Sequence, residues 1–363
     1  MKQKLGLRLA AGALFGALLL VIFFRGVEWA SLAAAFRAAQ PLYLLAVVLI
    51  TIGTYLGRAW RWGYLLAPLA RVPLGELFAS TVVGFMTGLV VPRAGEVVRP
   101  YLIARGRDIS TSAAFASIIL ERLVDLLTVL MLLGLYLFVL PTPAQQTRGP
   151  LMDVLKAGAG LVAVASCGVG LVLWGFHRHA EAVSAIVDRV LAPLPARVAS
   201  VLGRGLRAFG SGLAVFGSSP GHLLAIFGQS VAVWLTIALG IHCNNRAFGV
   251  DLPFHSTFLI IAFLTVGVAV PTPGMVGGFH ESYLLALTQV FGVERGRAAA
   301  VGIACHALTN LPVLLGGIFF LGRFGLTLGR VVRIGTETDA AAAAGAGARP
   351  AAADSGLRDR GAA

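Results

Sequence analysis

Charge is scarce in this sequence. Asp, Glu, Lys and Arg make up 12% of its 363 residues, apolar residues make up 58%, and the mean hydropathy is +0.86. Soluble domains carry about a quarter charged residues, so the composition excludes a soluble enzyme or binding module and implies an integral membrane protein. Cysteine is equally sparse. Cys167, Cys243 and Cys305 lie inside or beside apolar runs, which excludes a disulfide framework and reads as small packing residues. No HExxH, no Cys/His ligand spacing, no P-loop and no GxSxG occurs. Metal, nucleotide and nucleophile chemistry therefore have no motif to rest on. No cofactor and no metal is expected, and the chain reads as a non-enzyme.

Basic residues are the exception to this poverty, with a formal net charge of +13. Nucleic acid is not the expected partner, because the arginines punctuate apolar segments instead of forming a soluble stripe. Positive-inside topology and attraction to anionic lipid headgroups account for them better.

A full span needs roughly 20 apolar residues. Spans are expected at 5–24, 41–57, 112–140, 151–176, 219–241 and 298–322. The first follows Lys2, Lys4 and Arg8 in the manner of a signal peptide, but no persuasive cleavage site precedes Arg25, so it reads as a retained helix. Two further apolar regions, 74–107 and 255–292, exceed one span and break in the middle, at GLVVPRAGEVVR (88–99) and VPTPGMVGGFHE (270–281). Broken backbone at membrane depth survives only where protein or a polar cavity covers it. Matched breaks in two halves point to a transporter's binding site. The expected fold is an all-α polytopic membrane protein with about six full spans and two re-entrant helical hairpins in an inverted repeat. Its halves are about 41–140 and 219–322, within a transmembrane domain of 1–333. An amphipathic surface connector is expected at 180–217, broken by Pro193 and Pro195. A disordered tail is expected from 334.

With the N-terminus inside, most Lys and Arg fall on cytoplasmic stretches, including Arg58, Arg61, Arg71, Arg93, Arg99, Arg105 and Arg107. Both termini are then cytoplasmic. The two hairpins enter from opposite sides and meet near the membrane centre, bringing Pro92–Glu96 beside Pro271–Glu281.

Glu121, Arg122 and Asp125 form the sharpest charged cluster, near the start of a long span. A charge at the centre of a span costs about 2.5–3.5 kcal/mol on insertion scales. Three together read either as an ion-pair network locking helices or as the polar wall of a headgroup path. Arg93, Glu96 and Arg99 follow the first break, and Arg93 and Arg99 have the planar donors that suit phosphate. At least one of Glu121, Arg122 and Asp125 is expected to pair with the first hairpin, above all Arg122 with Glu96 or Asp125 with Arg93 or Arg99, and Arg122 and Asp125, three apart, can pair with each other. Arg58 and Arg61, beside Trp60 and Trp62, read as an interfacial aromatic–arginine belt and only a secondary contact. In the second hairpin, Pro271, Pro273, Gly274, Gly277 and Gly278 free backbone amides that suit an anion near a helix start. Glu281 is its acid, and His280 reads as a packing residue. His306 and Asn310, four apart, read as interhelical hydrogen-bonding groups.

The segments RAWRW (58–62), PRAGEVVR (92–99), ERLVDLL (121–127) and PTPGMVGGFHE (271–281), in this order, resemble the lysylphosphatidylglycerol synthase transmembrane-region family, also described as flippase-like or uncharacterised family 0104 membrane proteins. The resemblance covers about 1–333. It implies a polytopic inner-membrane domain, which in the full synthases moves aminoacylated phospholipid between leaflets. Those synthases carry a cytosolic aminoacyl-transfer domain after the membrane region. Here a short tail follows instead, and synthase activity is not expected. Standalone relatives look like transporters of various lipids, including hopanoid-associated and polyprenyl-linked ones, and substrate does not carry over by motif.

The leading expectation is a flippase- or scramblase-like transporter that moves an anionic or aminoacylated lipid across the bacterial inner membrane without ATP hydrolysis. Arg93, Arg99 and Arg122 would receive phosphate. Glu96, Glu121, Asp125 and Glu281 would hold the arginines or meet a cationic headgroup. The expected partners are membrane lipids: anionic phospholipid, or polyprenyl or aminoacyl lipid. The sequence sets no oligomeric state. The rival reading is a non-transporting scaffold for an envelope-lipid biosynthetic enzyme, and a third is an intramembrane lipid-modifying enzyme. Transport requires the charges to face a lipid-accessible groove, whereas a scaffold would keep them paired and sealed.

Overall fold

A computed structural model describes residues 27–105, 109–140, 218–269 and 272–327, with scattered positions outside these ranges. The described residues form helices and loops. They run as α1 (Trp29–Ala38), α2 (Pro41–Leu66), α3 (Leu74–Val90), α4 (Ala94–Ala104), α5 (Thr111–Gly134), α6 (Pro220–Ala247), α7 (Ser256–Ala269), α8 (Gly278–Leu285) and α9 (Arg295–Arg323). A π-helical turn, Leu135–Val139, extends α5, and another, Ala286–Val290, extends α8. The expected spans at 5–24 and 151–176, the connector at 180–217 and the tail from 334 lie wholly or largely outside the described residues.

Among the described residues, four helices are long and apolar enough to cross a membrane: α2, α5 with its extension, α6 and α9. Two run further than their apolar stretches suggest. α2 continues past 57 to Leu66 because Arg58 and Arg61 are buried and paired within the protein. α6 continues past 241 to Ala247. Its terminal polar residues bond neighbouring helices: Asn244 Nδ2 donates to the Val301 carbonyl at 3.0 Å, and Tyr283 Oη donates to Asn245 Oδ1 at 2.9 Å. Such bonds replace water inside a bundle. The starts follow ordinary capping chemistry. Pro opens α2 and α6, where its missing N–H costs nothing. Ser110, Ser219 and Glu294 accept from first-turn amides of α5, α6 and α9.

Lipid-facing surfaces are legible in the exposed apolar residues. Leu42, Leu45, Leu49, Ile52 and Leu56 lie along one stripe of α2, and Leu311, Leu314, Leu315, Ile318 and Phe319 cover a face of α9. The opposite faces pack inward. One buried cluster joins α5 to α6, α7, α8 and α9, and a second joins α2 to α3, α4 and α5.

α2 and α6 form the central pair, and they run antiparallel. Gln40 N donates to the Ala247 carbonyl at 2.8 Å. Gly57 packs against Val233, and Gly240 against Ile50. At the far end His222 Nε2 lies 3.1 Å from the Tyr64 carbonyl. The chain therefore leaves α2 and α6 at opposite ends of the pair. The α3–α4 hairpin starts from one end and the α7–α8 hairpin from the other. This is the inverted repeat in physical form.

Both hairpins close on a pair of glycines. A methyl group at Gly95 would sit 2.1 Å from the Gly84 carbonyl oxygen, and one at Gly278 would sit 2.3 Å from the Gly267 carbonyl oxygen. Backbone touches backbone in each case. In lipid, helices gain no hydrophobic drive toward each other, so close packing of small residues must hold them. The two pairs have the same spacing along the chain, a regularity that the sequence reading missed.

A cavity at the meeting of two hairpins

α5 supplies the centre of the site. Glu121 and Asp125 are one turn apart and both buried. Around them gather Arg58 and Arg61 from α2, Arg99 from α4, and Arg122 from α5 itself. Arg61 Nη1 donates to Asp125 Oδ1 at 2.6 Å, and Arg61 Nη2 lies 3.2 Å from Glu121 Oε1. Arg99 Nη1 lies 2.9 Å from Glu121 Oε2. Arg122 Nη2 reaches Glu121 at 2.9 Å and Asp125 at 3.4 Å, and Arg58 Nη1 stands 3.6 Å from Asp125 Oδ2.

Neutral groups fix the rest. Arg61 also donates to Ser230 Oγ at 2.8 Å, and that hydroxyl meets Thr128 Oγ1 at 2.9 Å. Trp234 Nε1 donates to Asp125 Oδ1 at 2.9 Å. The Arg99 guanidinium lies 4.0 Å from the Trp62 ring centre, and Trp62 Nε1 donates to Ser117 Oγ at 2.9 Å. Arg58 sits over Phe85 and Trp234, with ring centres 5.4 and 5.7 Å away. Flat guanidinium groups stack on rings in this way more readily than an ammonium does.

Arg61 and Glu121 are fully buried and form a sealed floor. Above them lies a cavity of about 370 Å³. Arg58, Arg99 and Arg122 line it, with Gly84, Phe85, Gly88, Pro92, Arg93, Gly95 and Glu96 from the first hairpin, Ile118 from α5, Trp234 from α6, and Val268, Ala269, Thr272 and Met275 from the second hairpin. The hairpin tips thus meet, as their positions in the sequence suggest. The side chain of Arg122 is 40% exposed, and Arg93 and Glu96 are exposed, so the cavity has a charged mouth. Arg93 adopts a left-handed backbone, φ 65°, immediately after Pro92. That conformation is unfavourable for a residue with a Cβ, and it turns the chain sharply into α4.

Several expectations need correction. The charged cluster of α5 does pair with the first hairpin, through Glu121 and Arg99, and Arg122 reaches Asp125 three residues on, but the particular pairs expected, Arg122 with Glu96 and Asp125 with Arg93 or Arg99, are not formed. α5 points Glu121 and Asp125 inward toward α2 and α4, so Arg99 reaches Glu121, while Asp125 is met by Arg58 and Arg61 of α2, Arg122 of α5 and Trp234 of α6. Arg58 and Arg61 are not a belt at the interface. They lie at the heart of the network, and Trp62 beside them is fully buried, while Trp60 alone faces outward. In the second hairpin, Pro273, Gly274, Gly277, Gly278 and Glu281 do not line the cavity. Pro273, Gly274 and Gly277 shape the turn that presents Thr272 and Met275 to it, while Gly278 and Glu281 lie in the first turn of α8. Gly274 and Gly277 take positive φ, 66° and 90°. Pro271 lies outside the described residues. His306 Nε2 approaches the Gly274 carbonyl at 2.7 Å and so ties this turn to α9. His280 is buried, its ring centre 4.6 Å from that of His306. Asn310 donates to the His306 carbonyl at 2.9 Å, within its own helix and not between helices. No group of three or more metal-ligating side chains occurs among the described residues.

Ser230, Thr128, Trp234 and Phe85 escaped the sequence reading. Ser230 and Trp234 are four apart on α6, so one face of an apolar span carries both a hydroxyl and an indole N–H. That spacing was the available signal.

The family model for the lysylphosphatidylglycerol synthase transmembrane region matches residues 9–317. The chain belongs to this family. The matched range contains every element of the cavity. A curated relative, glycosyltransferase AglD of Haloferax volcanii, is 27% identical over 336 residues, covering 85% of this chain and 53% of the relative. The chain thus spans about half the length of that relative. No solved structure matches it.

Proposed function

We propose that this family member carries an anionic lipid between membrane leaflets, with the headgroup in the cavity and the acyl or prenyl chains left in the bilayer. The family and the relative support a membrane role related to lipids or glycans. The observation that carries the finer reading is an arginine excess at a cavity between two opposed hairpins. Arg58, Arg99 and Arg122 face the space, while Arg61, Glu121 and Asp125 hold them from below.

Each group has a physical task in this reading. Planar guanidinium forks bind phosphate oxygens. The buried carboxylates keep the arginines charged and oriented inside the bundle. Because the hairpins start from opposite ends of the α2–α6 pair, small rigid movements of either one expose the same cavity to opposite leaflets, the alternating-access scheme of inverted-repeat transporters. The chain acts as a transporter and not as an enzyme, moves lipid without ATP hydrolysis, and sits in an inner membrane with both termini cytoplasmic.

The test is leaflet exchange in liposomes. The purified protein should speed exchange of a fluorescent anionic phospholipid without ATP, and Arg58→Gln should reduce that rate severalfold while the protein stays folded. Exchange at the empty-liposome rate for every lipid class tried would overturn the proposal.

A further inference from the structure

The charge balance of the cavity restricts what enters it. Four arginines, Arg58, Arg61, Arg99 and the half-exposed Arg122, share two carboxylates, Glu121 and Asp125, so the network has a net charge of +2. At the mouth, Arg93 and Glu96 cancel each other in formal charge. Uncompensated charge inside a bundle is strongly disfavoured, and the site has room for the missing anion.

The excess is also an excess of donors. Six buried guanidinium nitrogens of the network lack a hydrogen-bond partner among the described residues, against two carboxylate oxygens, Glu121 Oε2 and Asp125 Oδ2, and four of the six belong to Arg58, Arg99 and Arg122. All three side chains line the cavity. A terminal phosphate monoester supplies what is lacking on both counts: nearly two negative charges near neutral pH and three strong acceptor oxygens. A phosphodiester headgroup brings one charge and fewer free oxygens. A lysyl-esterified phosphodiester brings a net positive charge and would deepen the imbalance.

Resting on the anionic-lipid reading of this cavity, we propose that its preferred ligand is a lipid ending in a phosphate monoester, bound as a dianion by Arg58, Arg99 and Arg122. Discrimination comes from charge and oxygen count, not from recognition of an alcohol or amine beyond the phosphate. Glu96 is then a repulsive group at the entrance. Its removal should tighten binding of the monoester, whereas a site built for an ammonium headgroup would lose affinity.

The experiment measures binding, so it is independent of whether transport occurs. The full chain in phosphatidylcholine nanodiscs is titrated with four probes: short-chain phosphatidate, the matching phosphatidylmethanol, lysylphosphatidylglycerol, and water-soluble glycerol phosphate. One added charge-assisted contact corresponds to about tenfold or more in affinity. Phosphatidate should bind at least about tenfold more tightly than phosphatidylmethanol, with glycerol phosphate weaker than the lipid. Glu96→Gln should strengthen phosphatidate binding, and Arg58→Gln should erase most of the preference. Arg99 anchors Glu121, so its replacement risks misfolding; Glu96 is exposed and avoids that difficulty. Equal binding of the two phospholipids overturns the dianion assignment, as does preference for the lysyl lipid or weaker binding in Glu96→Gln. Glycerol phosphate binding as tightly as phosphatidate overturns the lipid assignment. Absence of binding by any probe overturns both this proposal and the reading on which it rests. A clear phosphatidate preference without leaflet exchange leaves the ligand assignment standing and removes only transport.

Discussion

The two hairpins share a backbone solution and differ in nearly everything else. Each brings a helix back along its predecessor through a glycine pair, Gly84–Gly95 in one and Gly267–Gly278 in the other. The first carries Arg93, Glu96 and Arg99 and is bolted to α5 through Arg99 and Glu121. The second presents Thr272 and Met275 to the cavity and is held at its turn by His306 and by Thr272 Oγ1, which donates to the Val276 carbonyl at 2.9 Å. Repetition therefore accounts for the architecture and not for the chemistry. One hairpin supplies charge, and the other supplies a neutral wall.

The largest expected effect concerns the charged side. Glu121→Gln leaves Arg61 and Arg99 without their shared carboxylate in a buried setting. Removing one member of a buried ion network costs about 3–5 kcal/mol. Unfolding of the detergent-solubilised protein should show a loss of that order, and a loss below about 1 kcal/mol would mean that the first hairpin is not anchored by charge. A smaller and symmetrical effect is expected at the glycines. Gly95→Ala and Gly278→Ala each force backbone apart, and overpacking costs about 1–3 kcal/mol. If only one of the two destabilises the protein in the same unfolding measurement, the hairpins do not share a packing device. The smallest effect belongs to the neutral side. His306→Ala removes one hydrogen bond, worth about 1 kcal/mol, and should raise amide hydrogen exchange across 272–278 while leaving 92–99 unchanged. Faster exchange in both segments would show that the two turns are coupled more tightly than their separate anchors imply.

Much of this organisation was legible in the sequence, because Pro and Gly inside apolar runs have few physical explanations. The breaks at Pro92 and near Pro273 marked the hairpins, the cost of intramembrane charge singled out Glu121, Arg122 and Asp125, and the first break drew attention to Arg99 beside it. The pairing between helices was not legible. Which of several arginines reaches a given carboxylate depends on the rotation of α2 and α4 around α5, and apolar periodicity does not fix that rotation to within one side chain. Arg58 and Arg61 were misassigned because an arginine near tryptophans at the end of an apolar run fits an interfacial belt equally well. What separates the cases is that α2 continues beyond them, kept in the bundle by partners distant in sequence. Ser230 and Thr128 were hidden for a simpler reason: a lone hydroxyl in a span is ordinarily a packing residue.

The glycine crossings have a mechanical consequence. Where two helices touch through side chains, rotamers can adjust and one helix can slide a little over the other. At Gly84–Gly95 and Gly267–Gly278 there is no side chain to adjust, so sliding must break direct backbone contact. Each hairpin is therefore stiff along its length. Its compliance is confined to the linkers that join it to the long spans, in the manner of a lever with its fulcrum at those linkers and its working end at the cavity. Any shift of a hairpin at the cavity is therefore set far from it, at those linkers.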